Sequence, residues 1–176
     1  MQLIEVPVGE EMEIEAKGEG EALVQLVLRF NMETGLVPVA DTPLKIDVSY
    51  DATRIEVENT VKVRVAVKYE PGIPMEAGMI VLDVSVPTGF SPVSETLEAV
   101  IREFGLKEPR IKRYDTAARK VIFYIENMKP GDELSFSFDA IALYPVRAKV
   151  APSRAYAYYK PEVSGEDLGG EEIVVV

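Results

Sequence analysis

Thr60-Val61-Lys62-Val63-Arg64-Val65-Ala66-Val67-Lys68-Tyr69 is the stretch that decides how this chain folds. Val61, Val63, Val65, Val67 and Tyr69 alternate with Lys62, Arg64, Ala66 and Lys68. Successive side chains of a strand point to opposite faces, so this period of two puts apolar groups on one face and mostly charge on the other. Such a segment is a strand with one face on a core.

The same signal spreads in both directions. After the turn Glu70-Pro71-Gly72-Ile73-Pro74, Ile80, Leu82, Val84 and Val86 carry an inward face against Asp83 and Ser85. After Lys129-Pro130-Gly131-Asp132, Leu134, Phe136 and Phe138 alternate with Ser135, Ser137 and Asp139. Proline presets φ and glycine tolerates positive φ, which is what these turns need. Further strands are expected over 11–17, 21–31, 44–50, 109–114, 119–126, 153–160 and 171–176, with a flexible loop over 164–170. Many short strands punctuated by turns indicate an all-β antiparallel sandwich rather than a βαβ sheet.

One segment has another period. Leu97, Val100, Ile101 and Phe104 stand at i, i+3, i+4 and i+7, the apolar stripe of a helix over 94–104. Ser94 is the expected N-cap, Glu95 suits the first turn, and Gly105 is expected to end the helix in the left-handed region. The outward face carries Glu95, Glu98, Arg102 and Glu103. A helix of this kind either covers the sandwich or presents its polar side to a partner.

Composition narrows the chemistry. The 176 residues suit one domain, or one domain plus a fragment. Histidine and cysteine are absent, which removes the commonest general base and metal ligand together with thiol nucleophiles, Cys-based metal sites and disulfides. The formal charge of −11 argues against nucleic acid as a partner, because the phosphate backbone needs a positive surface. No stretch approaches the ~20 apolar residues of a membrane span, and Met1-Gln2-Leu3-Ile4-Glu5-Val6 has no signal-peptide character. Acidic pairs such as Glu56/Glu58 and Glu166-Asp167 read as solvated strand faces or polar turns. No calcium loop, phosphate loop or nucleophile elbow occurs. The expectation is a module with no catalytic residues, no metal and no cofactor. Tyr156, Tyr158 and Tyr159 form an aromatic cluster, with Tyr156 and Tyr158 expected on one strand face; it suits half-buried packing or a sugar-binding surface.

Several runs together resemble a known family. Gly18-Glu19-Gly20-Glu21-Ala22-Leu23-Val24-Gln25-Leu26-Val27-Leu28-Arg29-Phe30-Asn31 resembles the strand that closes the CUB domain of α-macroglobulins. Ile80-Val81-Leu82-Asp83-Val84-Ser85-Val86-Pro87-Thr88-Gly89-Phe90-Ser91-Pro92, followed at once by the helix, resembles the family's C-terminal receptor-binding domain. Val121-Ile122-Phe123-Tyr124-Ile125, Tyr144-Pro145-Val146-Arg147 and Ala155-Tyr156-Ala157-Tyr158-Tyr159 follow in the family's order. The resemblance implies a macroglobulin-type sandwich with one inserted helix, part of a larger secreted or surface protein that traps proteases or attaches to targets. The thioester motif Cys-Gly-Glu-Gln and the cysteines of animal members are missing, which resembles a prokaryotic relative. Where vertebrate receptor-binding domains carry two lysines on the helix, this chain has Ser94 and Glu98, so the lysine-capturing endocytic receptor is not implied.

The resulting division is CUB-like strands over 1–32, a linker over 33–43 and a receptor-binding-like sandwich over 44–176. The partners expected are other domains of a parent or another protein, met through Glu98, Arg102, Lys107 and Lys112. The apolar face of residues 1–32 would also suit a homodimer. The competing function is a stand-alone adhesion or carbohydrate-binding sandwich.

Overall fold

The structure, a computed structural model, describes residues 42–126 and 128–176, together with Glu15, Lys17 and Gly18. The chain divides into two compact units, Met1–Met32 and Glu33–Val176. In the first, Glu15 and Lys17 form an exposed ion pair. The strands expected over 11–17 and 21–31, the dimer face drawn from them and the linker over 33–43 lie almost wholly outside the described residues.

In chain order the second unit runs β1 (Leu44–Tyr50), β2 (Arg54–Ile55), β3 (Thr60–Tyr69), β4 (Ile80–Ser85), β5 (Phe90–Pro92), α1 (Ser94–Phe104), β6 (Arg110–Ala117), β7 (Lys120–Glu126), β8 (Glu133–Ala142), β9 (Val146–Lys149), β10 (Ser153–Ala157), β11 (Lys160–Asp167) and β12 (Glu172–Val175). A four-stranded sheet has the order β1-β3-β8-β5, and a five-stranded sheet the order β11-β10-β4-β7-β6. Both are antiparallel throughout. A small third sheet, β2-β12-β9, contains the one parallel pairing among the described residues, β12 with β2.

Alternation explains the core. Val61, Val63, Val65, Val67 and Tyr69 of β3 are all buried, and so are Ile80, Leu82 and Val84 of β4. Phe123 of β7 meets Phe136 of β8 edge-on at 4.8 Å and Phe138 at 5.9 Å. Aromatic pairs of this geometry contribute about 1 kcal/mol beyond their area. Two devices close the sides of the sandwich. On one side Asp167 of β11 accepts from the Val48 N–H of β1 at 2.7 Å, and Gly165 lets the backbone of β11 lie against the Leu44 carbonyl. On the other side α1 covers the interval between β8 and β6.

Gly89 shows why two of the quoted runs keep company. Its φ is +91°, and a Cβ there would stand 2.6 Å from Val146 Cγ1 and 3.4 Å from the Tyr144 ring. The turn before β5 and the Tyr144-Pro145-Val146 segment are therefore in direct contact, and glycine is required by both backbone angle and space. Pro92 ends the edge strand β5, where a missing N–H costs no ladder bond. The next N–H, that of Val93, donates to the Asp139 carbonyl at 2.8 Å.

The structure departs from the sequence expectations at several points. The strand expected over 153–160 stops at Ala157, after a bulge between Tyr156 and Ala157. Tyr158 and Tyr159 form the β10–β11 turn, held by Tyr158 N–H donating to the Met79 carbonyl at 2.8 Å. Tyr156 and Tyr158 therefore share no strand face. Residues 164–167 belong to β11 rather than to a flexible loop, because Gly165 there serves close approach and not mobility. Glu56 and Glu58 are exposed in the turn after β2, Glu58 with φ +67°, and not on a strand. Ser94 is the first helical residue; Val93 occupies the cap position without a side-chain bond, and Gly105 is right-handed at φ −67°, ψ −19°.

Candidate functional site

The candidate surface begins with what holds α1 in place. Leu97 is fully buried and Val100 nearly so, with Ile101 and Phe104 partly buried against the core. Thr96 Oγ1 accepts from the Asp139 N–H at 2.9 Å and donates to the Val93 carbonyl at 2.8 Å, which ties the first turn to β8. Pinned on its apolar stripe, the helix turns Glu98, Arg102 and Glu103 outward.

Two of the four expected contact residues lie on this outward face, and the other two do not. Arg102 faces Glu98 one turn away at 3.8 Å. Lys107 lies in the connection to β6, bonded to Glu103 at 2.9 Å with its ammonium 4.3 Å from the Phe104 ring centre. Lys112 is on the sheet edge. Ile111 pairs with Ile125 and Arg113 with Tyr124, so Lys112 is the extra residue of a β-bulge. Its ammonium bonds Glu126 at 2.8 Å, and Arg110 bonds the same carboxylate. Hydrogen bonds from Lys112 first, and from Arg110, hold the Glu126 carboxyl below its usual range, and Glu126 in turn raises Arg110. Arg113 lies over the Tyr124 ring at 3.9 Å and pairs with Asp115. The cations read from the sequence as a contact surface are thus matched by neighbouring carboxylates. The face is a mosaic of both signs with no basic patch, and exposed pairs of this kind are worth little to stability. What the sequence reading missed is Leu106, an apolar side chain 97% exposed at the end of α1. Its signal was an apolar residue directly after the helix-ending glycine.

The tyrosine cluster does not form one flat face. Tyr158 and Tyr159 meet nearly perpendicular, at 85° and 5.0 Å, and Tyr156 has the Arg154 guanidinium 5.4 Å from its ring centre. Among the described residues no cluster of three or more acidic side chains is placed to hold a metal ion, and no helix is long and apolar enough to cross a membrane.

Comparison with known proteins gives this face its context. No curated protein sequence matches significantly. Solved structures that share the fold include bacterial alpha-2-macroglobulins in several states. Native alpha-2-macroglobulin from Escherichia coli matches with a TM-score of 0.63 and 12% identity, over 79% of this chain and 24% of that one. The Escherichia coli protein activated by porcine elastase gives 0.61 and 13%, over 77% and 13%. Salmonella alpha-2-macroglobulin reacted with methylamine gives 0.61 and 11%, over 77% and 9%. The chain therefore spans a quarter or less of the length of these relatives. Residues 75–167, more than half of the chain and all of β4 through β11, match the model of the A-macroglobulin receptor binding domain, a non-catalytic module. The chain belongs to the α-macroglobulin receptor-binding domain family.

Proposed function

We propose that this chain is the docking module of a larger exported macroglobulin that responds to proteases, and that α1 with the start of β6 is the surface it presents. The observation that carries this reading is the family match, which runs through α1, the whole five-stranded sheet, and β5 and β8 of the four-stranded sheet. The Escherichia coli relative is described in elastase-activated and trypsin-activated forms; the parent of this chain is assigned the same kind of response. Glu98, Arg102, Lys107 and Lys112, with Leu106 as the apolar contact, form the surface. A receptor that captures two lysines is excluded from the reading, because Ser94 has no charge and Glu98 carries the opposite one.

Hydrogen exchange on the parent, native and protease-treated, tests the proposal. Exchange in residues 94–113 is expected to change on cleavage while β3 and β8 stay protected. Unchanged exchange across 94–113 would overturn it.

A further inference from the structure

Beside α1, on the outer face of the four-stranded sheet, lies a groove of about 310 Å³ lined by Arg64, Val100, Glu103, Phe104, Ser135, Phe136 and Ser137. Val100 and Phe136 in its lining are buried, and Phe104, 6.1 Å from Phe136, is the partly exposed ring. The groove's polar rim is rich in donors. Backbone pairing explains part of this. Val63 and Val65 face Phe138 and Phe136 across the β3–β8 ladder, while Asp139 turns its N–H and carbonyl the other way, to Thr96 and Val93. Peptide groups alternate in direction along a strand. Ser135 and Ser137 therefore direct theirs away from β3, toward α1, where β5 no longer runs. Among the described residues neither serine makes a side-chain hydrogen bond.

Charge completes the description. On this face Lys62 is matched by Asp139 at 3.0 Å, and Lys45 and Lys68 share Glu70 at 2.6 Å each. Arg64, between them and exposed, has no carboxylate partner among the described residues, and Glu103 across the groove is already bonded to Lys107. Other exposed cations, Arg54 and Arg119 among them, also lack a carboxylate partner among the described residues; Arg64 is the one that lines this groove beside Ser135 and Ser137, where a guanidinium can take a carboxylate. The partly exposed Phe104 ring beside it suits a ligand with hydrocarbon next to its charge.

From this geometry we infer that the groove takes an acidic segment of a partner polypeptide. The partner carboxylate sits on Arg64 with Ser135 and Ser137 as further donors, and its neighbouring apolar side chain lies on Phe104. This deepens the docking reading by naming the chemistry of one contact, and it does not require the outward face of α1 to be used.

The test is a nuclear magnetic resonance titration of the full chain with a capped pentapeptide of alternating valine and glutamate. Saturable shifts are expected at Ser135, Ser137, Phe104 and the Arg64 side chain, and affinity should fall about tenfold when glutamine replaces glutamate in the peptide. Arg64→Gln should cause a similar loss and Arg64→Lys a smaller one; Arg64 is exposed, so unchanged shifts elsewhere will show that the fold is kept. Equal binding of the glutamine peptide, indifference to Arg64→Gln, shifts confined to Arg110 to Arg113, or the same shifts with inorganic phosphate would each overturn the assignment. Binding in the groove combined with unchanged exchange over 94–113 in the parent would refute the α1 face alone.

Discussion

Replacing Gly165 by alanine probes how the sandwich is closed. The backbone of Gly165 is not in the left-handed region, so the substitution acts through space alone. An added Cβ would stand 1.7 Å from the Leu44 carbonyl oxygen and 2.6 Å from its carbon, where ordinary contact begins at 3.4 Å. Strands β1 and β11 must separate by about 1.7 Å, the difference between 3.4 and 1.7 Å. Both neighbours are backbone, so no side-chain rotation relieves the clash. A shift of that size breaks the 2.7 Å bond from Val48 N–H to Asp167. Overpacking costs about 1–3 kcal/mol, and a hydrogen bond to a charged group about 1.5–3 kcal/mol. Together they give about 2.5–6 kcal/mol, a fall of roughly 5–24 °C in Tm for a domain of this size. Thermal unfolding of Gly165→Ala beside Gly72→Ala is the assay. Gly72 has nothing within 4 Å of an added Cβ, so its alanine variant should match the parent chain or gain slightly. A Gly165→Ala Tm within about 2 °C of the original would refute the close approach of β1 and β11.

Leu97→Ala empties a fully buried position beneath α1 and should cost about 2–5 kcal/mol in urea unfolding, whereas Leu106→Asp, at a fully solvated position, should leave stability unchanged. Gly89→Ala adds left-handed strain to a 2.6 Å clash with Val146, and should lower Tm more than Gly131→Ala, which has the strain without the clash. Hydrogen bonds from Lys45 first, and from Lys68, bring the Glu70 carboxyl down to about 2. Because this folded-state value lies below the unfolded one, the pair stabilises above the ordinary carboxylate range, and that contribution is lost as pH falls from about 4.5 toward 2. A carboxyl titration by nuclear magnetic resonance should show the low midpoint, and Glu70→Gln should be less sensitive to acid over that window; a midpoint in the usual glutamate range would refute the shared pair.

Period-two alternation was enough to place β3, β4 and β8, since each has one face on the core. The helix was equally legible, because Leu97, Val100, Ile101 and Phe104 must share a stripe to be buried together. The short elements were not. β2, β5 and β9 are two to four residues long, too short to show a period. Gly165 looked like flexibility because glycine in sequence does not say whether it serves freedom or close approach. The end of β10 at Ala157 was hidden by the continuous Tyr-rich run. For the site, the residue types were readable but their pairing was not. Lys112 becomes the bulged residue only through the register of β6 on β7, and Arg64 comes to stand beside Ser137 only through the register of β3 on β8.

The measurement that bears most directly on the account is the mass and sequence of the polypeptide that carries this chain, isolated from its source. The account predicts a protein several times longer, with further macroglobulin domains before residues 1–32. A natural polypeptide of this length alone, or one whose remaining domains are unrelated to macroglobulins, would contradict it.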